Sequence, residues 1–328
     1  MRLPAWGAEQ LRTAAPAGWE VVVIASTSLS KGEGTNQPSA ETLAAVRTAE
    51  VYFGFGVSPA ILEAAPQLRW VHSAAAGVTG ALTPAFRASG VRMTNSAAVY
   101  AEGIADTVLA GVLHFVRGLD YAVRNQAESR WDQSPFTNAT RPMREVNQCR
   151  VLVVGAGGIG SAVAARFSAL GCTCIGIRRR PALGTPAGFA RVTSPDGLAT
   201  ELGSADIVII SAPLTPSTAA LLNAAHLALL PAGAIVVNVA RGGLVDDDAL
   251  LDALDTGELR GAVLDVFSVE PLASTSPFWT HPKVLVTPHV SGVTPRRWER
   301  ALGLFQDNWR RWVTGEPLLN VVDFDAGY

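Results

Sequence analysis

Val151-Leu152-Val153-Val154-Gly155-Ala156-Gly157-Gly158-Ile159-Gly160 is an apolar run that opens into the pattern G-x-G-x-x-G. Four consecutive β-favouring residues predict a buried strand, and residues 159–170 carry a helical pattern. A bare match to this glycine pattern is weak. Between a strand and a helix it gains a physical meaning. Gly155 permits the tight turn, Gly157 lets the backbone approach a pyrophosphate, and Gly160 lets helix and strand pack closely. The free N–H groups at the helix start, those of Gly158 and Ile159 among them, face the phosphates. The stretch therefore predicts an α/β fold with a dinucleotide site.

The same alternation extends in both directions. Downstream, residues 173–177, 207–211, 234–239, 263–266 and 284–287 are strand candidates, with a helix over 247–254. Residues 219–240 are the most apolar stretch, but they read as a helix followed by a strand rather than a membrane span. Upstream, residues 21–24, 51–53 and 68–72 are strand candidates, and 30–38 form a polar loop. Residues 101–124 read as one long helix with an apolar face at Ile104, Val108, Leu109, Val112 and Val116. Residues 125–147 are polar and suit a surface arm. Residues 295–313 are helical, with Trp298, Leu302, Phe305 and Trp309 on one stripe. Strands alternating with helices imply parallel sheets, and 328 residues suit two domains.

Composition excludes several classes. Hydrophobic residues make up 48% and charged residues 16%, which suits a buried core rather than disorder. A formal net charge of -2 gives no footprint for nucleic acid or an anionic membrane. Cys149, Cys172 and Cys174 are too few for a disulfide framework and lack the partners of a zinc site, so no metal is expected. The N-terminus shows no secretory pattern. Together these readings point to the cytoplasm, where the sequon at Asn138 would stay bare.

Binding sites for NAD usually place a carboxylate roughly 20 residues beyond the glycines, on the ribose 2′-hydroxyl. Here Arg178-Arg179-Arg180 occupies that place. Guanidinium groups suit a 2′-phosphate, so NADP(H) is the expected cofactor, with NAD(H) possible. A solvated basic turn is the plain alternative.

Three downstream segments each carry one reactive residue behind a strand candidate. They are Asn238-Val239-Ala240-Arg241-Gly242-Gly243, Leu264-Asp265-Val266-Phe267-Ser268-Val269-Glu270-Pro271, and Val286-Thr287-Pro288-His289-Val290-Ser291. Strand ends are where open α/β sheets bind ligands. Singly, Arg241 reads equally well as a surface charge, Glu270 as a carboxylate starting a helix and His289 as a turn histidine. Together, behind a dinucleotide fingerprint, they are hard to explain that way.

On these motifs the chain resembles the D-isomer-specific 2-hydroxyacid dehydrogenase family over essentially its whole length. Within the family, the runs 265–272 and 281–289 are most similar to NADPH-linked glyoxylate/hydroxypyruvate reductases. The resemblance implies that His289 protonates the carbonyl of a small 2-keto acid as hydride arrives at C2, giving the D-2-hydroxy acid. Glu270 would pair with His289 and favour its protonated form. Arg241 would bind the substrate carboxylate and polarise the carbonyl. Asp265 would orient the nicotinamide amide, and Pro213, Thr218, Val239 and Ala240 would be further cofactor contacts. Ala76, Gly77 and Val78 match the family's substrate-carboxylate loop, where backbone N–H groups bind. Phe53, Phe55 and Trp279 are pocket walls or plain core.

The resemblance also implies a flavodoxin-like substrate domain, residues 1–98 with 293–328, beside a Rossmann domain over 99–292. It implies a homodimer built on the helix from Ala101 and the arm behind it. A departure is Ala105-Asp106 where the family commonly has Ala-Glu. Phosphoglycerate dehydrogenase shares the motifs, and a nucleotide-sensing corepressor or scaffold without turnover shares the fold; both stay as alternatives.

Overall fold

A computed structural model describes residues 3–24, 38–137, 143–325 and 327. The chain forms two compact units, 1–100 with 294–328, and 101–293. In the first unit the chain runs α1 (Ala5–Thr13), α2 (Ala40–Ala45), β1 (Val51–Gly54), α3 (Pro59–Ala64), β2 (Trp70–Ser73), α4 (Pro84–Ala88) and β3 (Arg92–Asn95). The strands form a parallel sheet in the order β1-β2-β3. The short helix α4 starts on a side-chain cap: the Thr83 hydroxyl accepts from the Phe86 N–H, with Pro84 at the first helical position.

The second unit begins with α5 (Ala101–Val116) and α6 (Leu119–Ala127). Then follow β4 (Arg150–Val154), α7 (Gly158–Ala169), β5 (Thr173–Ile177), β6 (Arg191–Thr193), α8 (Leu198–Leu202), β7 (Ile207–Ile210), α9 (Ala224–Leu227), β8 (Ala234–Asn238), α10 (Asp247–Asp255), β9 (Leu259–Leu264) and β10 (Val284–Val286). All seven strands are parallel, in the order β10-β9-β8-β7-β4-β5-β6. The chain starts in mid-sheet at β4, winds outward through β5 and β6, and returns to β7 on the other side. The switch point between β4 and β7 is the place such sheets bind ligands. Central strands are apolar on both faces because helices cover both: every residue of β7 is buried. Gly111 of α5 lies against Val263 and Gly261 of β9 against the Phe115 ring, so small residues set the close packing of α5 on the sheet.

The chain then returns to the first unit as α11 (Arg297–Thr314). Its stripe of Leu302, Phe305 and Trp309 packs on Trp70, while Val71, Phe86 and Met93 fill the opposite side of the three-stranded sheet.

Several sequence expectations change. Residues 21–24 form no strand, and Val22 is more than half exposed. The single helix over 101–124 is two, because Gly118 adopts φ +67, which ends α5 and starts α6 on a new axis. The stretch 219–240 holds only the four-residue α9 before β8. Strands β3 and β6 carry too many polar residues to stand out in the sequence. The polar loop at 30–38 lies outside the described residues except for Pro38, and so does the sequon at 138–140.

Candidate active site

The glycine fingerprint forms the turn between β4 and α7, at the switch point. Gly155 sits at φ +107, and a Cβ there would lie 2.6 Å from the Ala212 N–H nitrogen behind β7. A Cβ on Gly160 would lie 2.2 Å from the Gly155 carbonyl oxygen. Gly157 differs, with open space within 4 Å of its Cβ position. Two glycines are thus required by the protein's own packing, and the third leaves a cradle. The first-turn N–H groups of α7, at Gly158 and Ile159, have no partner inside the helix. The residues fit a bound pyrophosphate.

Other expected cofactor contacts are partly engaged within the protein. The Thr218 hydroxyl donates to the Pro213 carbonyl at 2.8 Å and accepts from the Thr215 N–H at 2.8 Å, closing the loop behind β7. The Val239 and Ala240 side chains are buried, and the Ala240 N–H donates to Asn238 Oδ1 at 3.1 Å. Beyond β5, Arg178 donates to the Gly184 carbonyl at 2.9 Å, while Arg179 and Arg180 are exposed.

Strand register brings the reactive residues together. Asn238 of β8 pairs with Leu264 of β9, which pairs with Val286 of β10. Arg241 and His289 each lie three residues beyond that row, and Glu270 six. His289 Nδ1 and Glu270 Oε2 are 2.7 Å apart. Glu270 Oε1 accepts from the Phe267 N–H at 3.0 Å. Burial pushes the Glu270 carboxyl up. The hydrogen bonds from His289 and Phe267, with the charges of His289 and Arg241, outweigh it and hold it below its ordinary range. With Nδ1–H donated to this carboxylate, Nε2 is the nitrogen left to exchange a proton with a ligand. The His289 ring is half exposed.

Asn238 and Gly242, which the sequence reading did not single out, and the backbone around Asp265 hold these groups in place. Asn238 Nδ2 donates to the Arg241 carbonyl at 2.9 Å, and Arg241 donates to the Ala240 carbonyl at 2.5 Å. Gly242 touches the Phe267–Ser268 backbone so closely that a Cβ would lie 1.9 Å from the Phe267 carbonyl carbon. His289 itself adopts φ +52, a left-handed conformation that costs a side-chain-bearing residue roughly 1–2 kcal/mol. The Asp265 carboxylate, 1% exposed, accepts hydrogen bonds from Thr287, Val290 and Ser291 around it.

In the first unit, Ala76, Gly77 and Val78 follow β2. Asn95 Nδ2 donates to the Ala76 carbonyl at 2.9 Å, and Val78 buries its side chain in the core. Phe53 is core, stacked on Phe305 at 4.6 Å, whereas Phe55 meets Trp298 edge-on at 5.8 Å. Trp279, in the second unit, is 47% exposed and donates to the Ala273 carbonyl.

A family model described as D-isomer specific 2-hydroxyacid dehydrogenase, NAD binding domain, matches residues 109–291. The chain belongs to this family. It is 34% identical over 299 residues to glyoxylate/hydroxypyruvate reductase A of Salmonella heidelberg (strain SL476), covering 89% of this chain and 86% of that one. It is 34% identical over 273 residues to D-3-phosphoglycerate dehydrogenase of Mycobacterium leprae (strain TN), covering 83% of this chain. The chain spans about half the length of that relative, 50%. A crystal structure of a D-isomer specific 2-hydroxyacid dehydrogenase from Xanthobacter autotrophicus Py2, in complex with NADPH and MES, is 32% identical with a TM-score of 0.79, covering 98% of this chain and 95% of that one. Among the described residues, no helix is long and apolar enough to cross a membrane, and no group of three His, Cys, Asp or Glu is placed to hold a metal ion.

Proposed function

We propose that this dehydrogenase reduces a small 2-keto acid, of the glyoxylate/hydroxypyruvate kind, to the D-2-hydroxy acid, with NADPH preferred over NADH. The observation that carries the reading is the 2.7 Å His289–Glu270 pair, formed behind the two strands next to the one that Arg241 follows and at the same C-terminal end of the strands as the fingerprint turn. The reduced nicotinamide, when bound, supplies the hydride. His289 holds the proton for the carbonyl oxygen at Nε2, and Glu270 orients the ring and offsets the positive charge. Arg241 holds the carboxylate and draws charge toward the carbonyl oxygen. The N–H groups of Ala76, Gly77 and Val78 are a second carboxylate-binding element, and Arg179 and Arg180 meet the 2′-phosphate.

We assign residues 99–292 to cofactor binding, and 1–98 with 293–328 to substrate binding, in a cytoplasmic homodimer. The test is loss of nicotinamide absorbance with NADPH or NADH and a panel of glyoxylate, hydroxypyruvate, pyruvate, 2-ketobutyrate and phosphohydroxypyruvate. Turnover fastest with NADPH and a short keto acid is the expected result. Phosphohydroxypyruvate as best substrate would favour the second reading, phosphoglycerate oxidation, which the mycobacterial relative supports. Tight NADPH binding with no turnover on any keto acid would favour the sensor.

A further inference from the structure

We propose that Asn95, Ser96 and Tyr100 are positioning residues for the substrate carboxylate: they hold the carbonyls of the loop behind β2, so that its next N–H groups present themselves to an anion. Four successive carbonyls are tied to this one segment. The Ser96 hydroxyl donates to the Ser73 carbonyl at 2.8 Å, and the Tyr100 hydroxyl donates to the Ala74 carbonyl at 2.9 Å. The Ser96 N–H donates to the Ala75 carbonyl at 3.1 Å, and Asn95 Nδ2 donates to the Ala76 carbonyl at 2.9 Å. The N–H groups of the loop divide into two sets. Ala74 donates to the Gly54 carbonyl at 2.7 Å and Ala75 to the Ser73 hydroxyl at 3.2 Å. Those of Ala76, Gly77 and Val78 have no acceptor among the described residues, although Val78 is buried and the other two are half-buried. Backbone donors removed from water are nearly always paired. Three successive orphans therefore suit a ligand that brings acceptor oxygens.

The tie at Ser96 is backed by a buried chain of hydrogen bonds whose direction is fixed at both ends. Trp70 Nε1 can only donate, and it gives to Thr94 Oγ1 at 2.9 Å. The Thr94 hydroxyl then donates to His72 Nδ1 at 2.7 Å. At the far end the Ser73 carbonyl can only accept. Ser96 gives its one hydroxyl proton there and receives from His72 Nε2, 3.4 Å away. A neutral His72 with its proton on Nε2 satisfies every link, and burial, which pushes its pKa down to about 3, keeps the ring neutral. Trp70, His72, Thr94 and Ser96 are all 0% exposed, so water does not compete for these bonds. Burial also pushes the Tyr100 hydroxyl up, against the charge of Arg297, and that donor keeps its proton.

The inference rests on the proposed reading that Ala76, Gly77 and Val78 bind the substrate carboxylate, so its test reads binding as well as turnover. Tyr100→Phe removes a single oxygen, and Ser96→Ala removes the hydroxyl while keeping the N–H. The probe is oxamate, a 2-keto acid analogue whose amide carbonyl resists hydride, titrated into the full chain with NADPH or NADH at saturation. The oxamate Kd and the keto acid KM are expected to rise together. The rise should be about fivefold in each single variant and larger in the double variant, the order of one hydrogen bond per step. An interaction made equally in ground and transition states moves KM and leaves kcat. The kcat and the NADPH Kd should therefore stay within about twofold of the parent values. Unchanged oxamate Kd and KM in the double variant would overturn the proposal. So would a loss of NADPH affinity that matches the loss of oxamate affinity, because it would mark a general loosening of the fold. A parent that binds oxamate but reduces no keto acid would remove the reductase reading, and the oxamate series alone would then decide the inference. A parent that binds no oxamate would overturn the inference outright.

Discussion

Glu270 is held below its ordinary range although its burial alone would raise it, and the groups responsible are His289, the Phe267 N–H and Arg241. A carboxyl depressed in the folded state contributes stability that is present above its ordinary range and is lost as pH falls through the folded value. Folding and the Glu270–His289 pair are thus weakened together in acid. Glu270→Gln removes the negative charge beside the His289 ring and is expected to keep a hydrogen bond to it while lowering reductive kcat. His289→Ala is expected to lower kcat by about 10²–10⁴ across the whole range; a pH series on both variants checks this. His72 illustrates the opposite kind of histidine. Fully buried, it accepts from the Thr94 hydroxyl at 2.7 Å, and burial pushes it down to about 3 from an ordinary 6.5. The unfolded chain takes up this proton below 6.5 and the folded one does not, so His72 costs stability as pH falls from 6.5 toward 3. Between pH 6.5 and 5 the loss is about 2 kcal/mol, and His72→Gln should remove that difference in denaturant midpoints. In the sequence Arg241, Glu270 and His289 were legible because each follows an apolar strand. Asn238 stands just as close to a strand end, but its bonds to the Arg241 carbonyl and the Ala240 N–H depend on the turn it faces, and spacing does not encode that.

At the level of elements, the three glycines of one fingerprint make different demands. Gly157→Ala adds a methyl to open space, so the protein is expected to fold with an unchanged melting temperature. NADPH binding should weaken by about tenfold or more, because the methyl occupies the cradle. Gly160→Ala drives a Cβ into the Gly155 carbonyl and should destabilise the second unit by several kcal/mol, in line with overpacking at a rigid contact. Calorimetry with a cofactor titration separates the two; equal melting losses would show that Gly157 is a packing residue as well. The β4–α7 unit was legible because apolar run, glycines and helix pattern agree. The failures have local causes. Across Gly118 the apolar periodicity continues even though the axis changes, so one helix was read where two exist. Strand β6, Arg191–Thr193, is three residues at the sheet edge with one exposed and two half-buried side chains, too short for alternation to register.

For the whole molecule, a prediction about assembly follows from surface that folding leaves apolar. On α6 and the arm behind it, Leu119 is 48%, Val123 58% and Trp131 92% exposed. Nearby, the same region is pinned to β9: Asp120, 4% exposed, is held by Arg260 of that strand and by Arg124. A rigid mount carrying exposed apolar side chains is what an interface requires, since aromatic anchors on a preorganised face give most of the binding energy. A second copy of this chain, related by two-fold symmetry, would cover that face with the same face. The expected mass in light scattering at micromolar concentration is then twice 34.3 kDa. Val123→Asp combined with Trp131→Ser should give the single-chain mass while leaving the far-ultraviolet circular dichroism unchanged, because neither side chain belongs to a core. A parent protein that already runs at the single-chain mass would remove the dimer, and a variant that stays at double mass would place the interface elsewhere on the second unit.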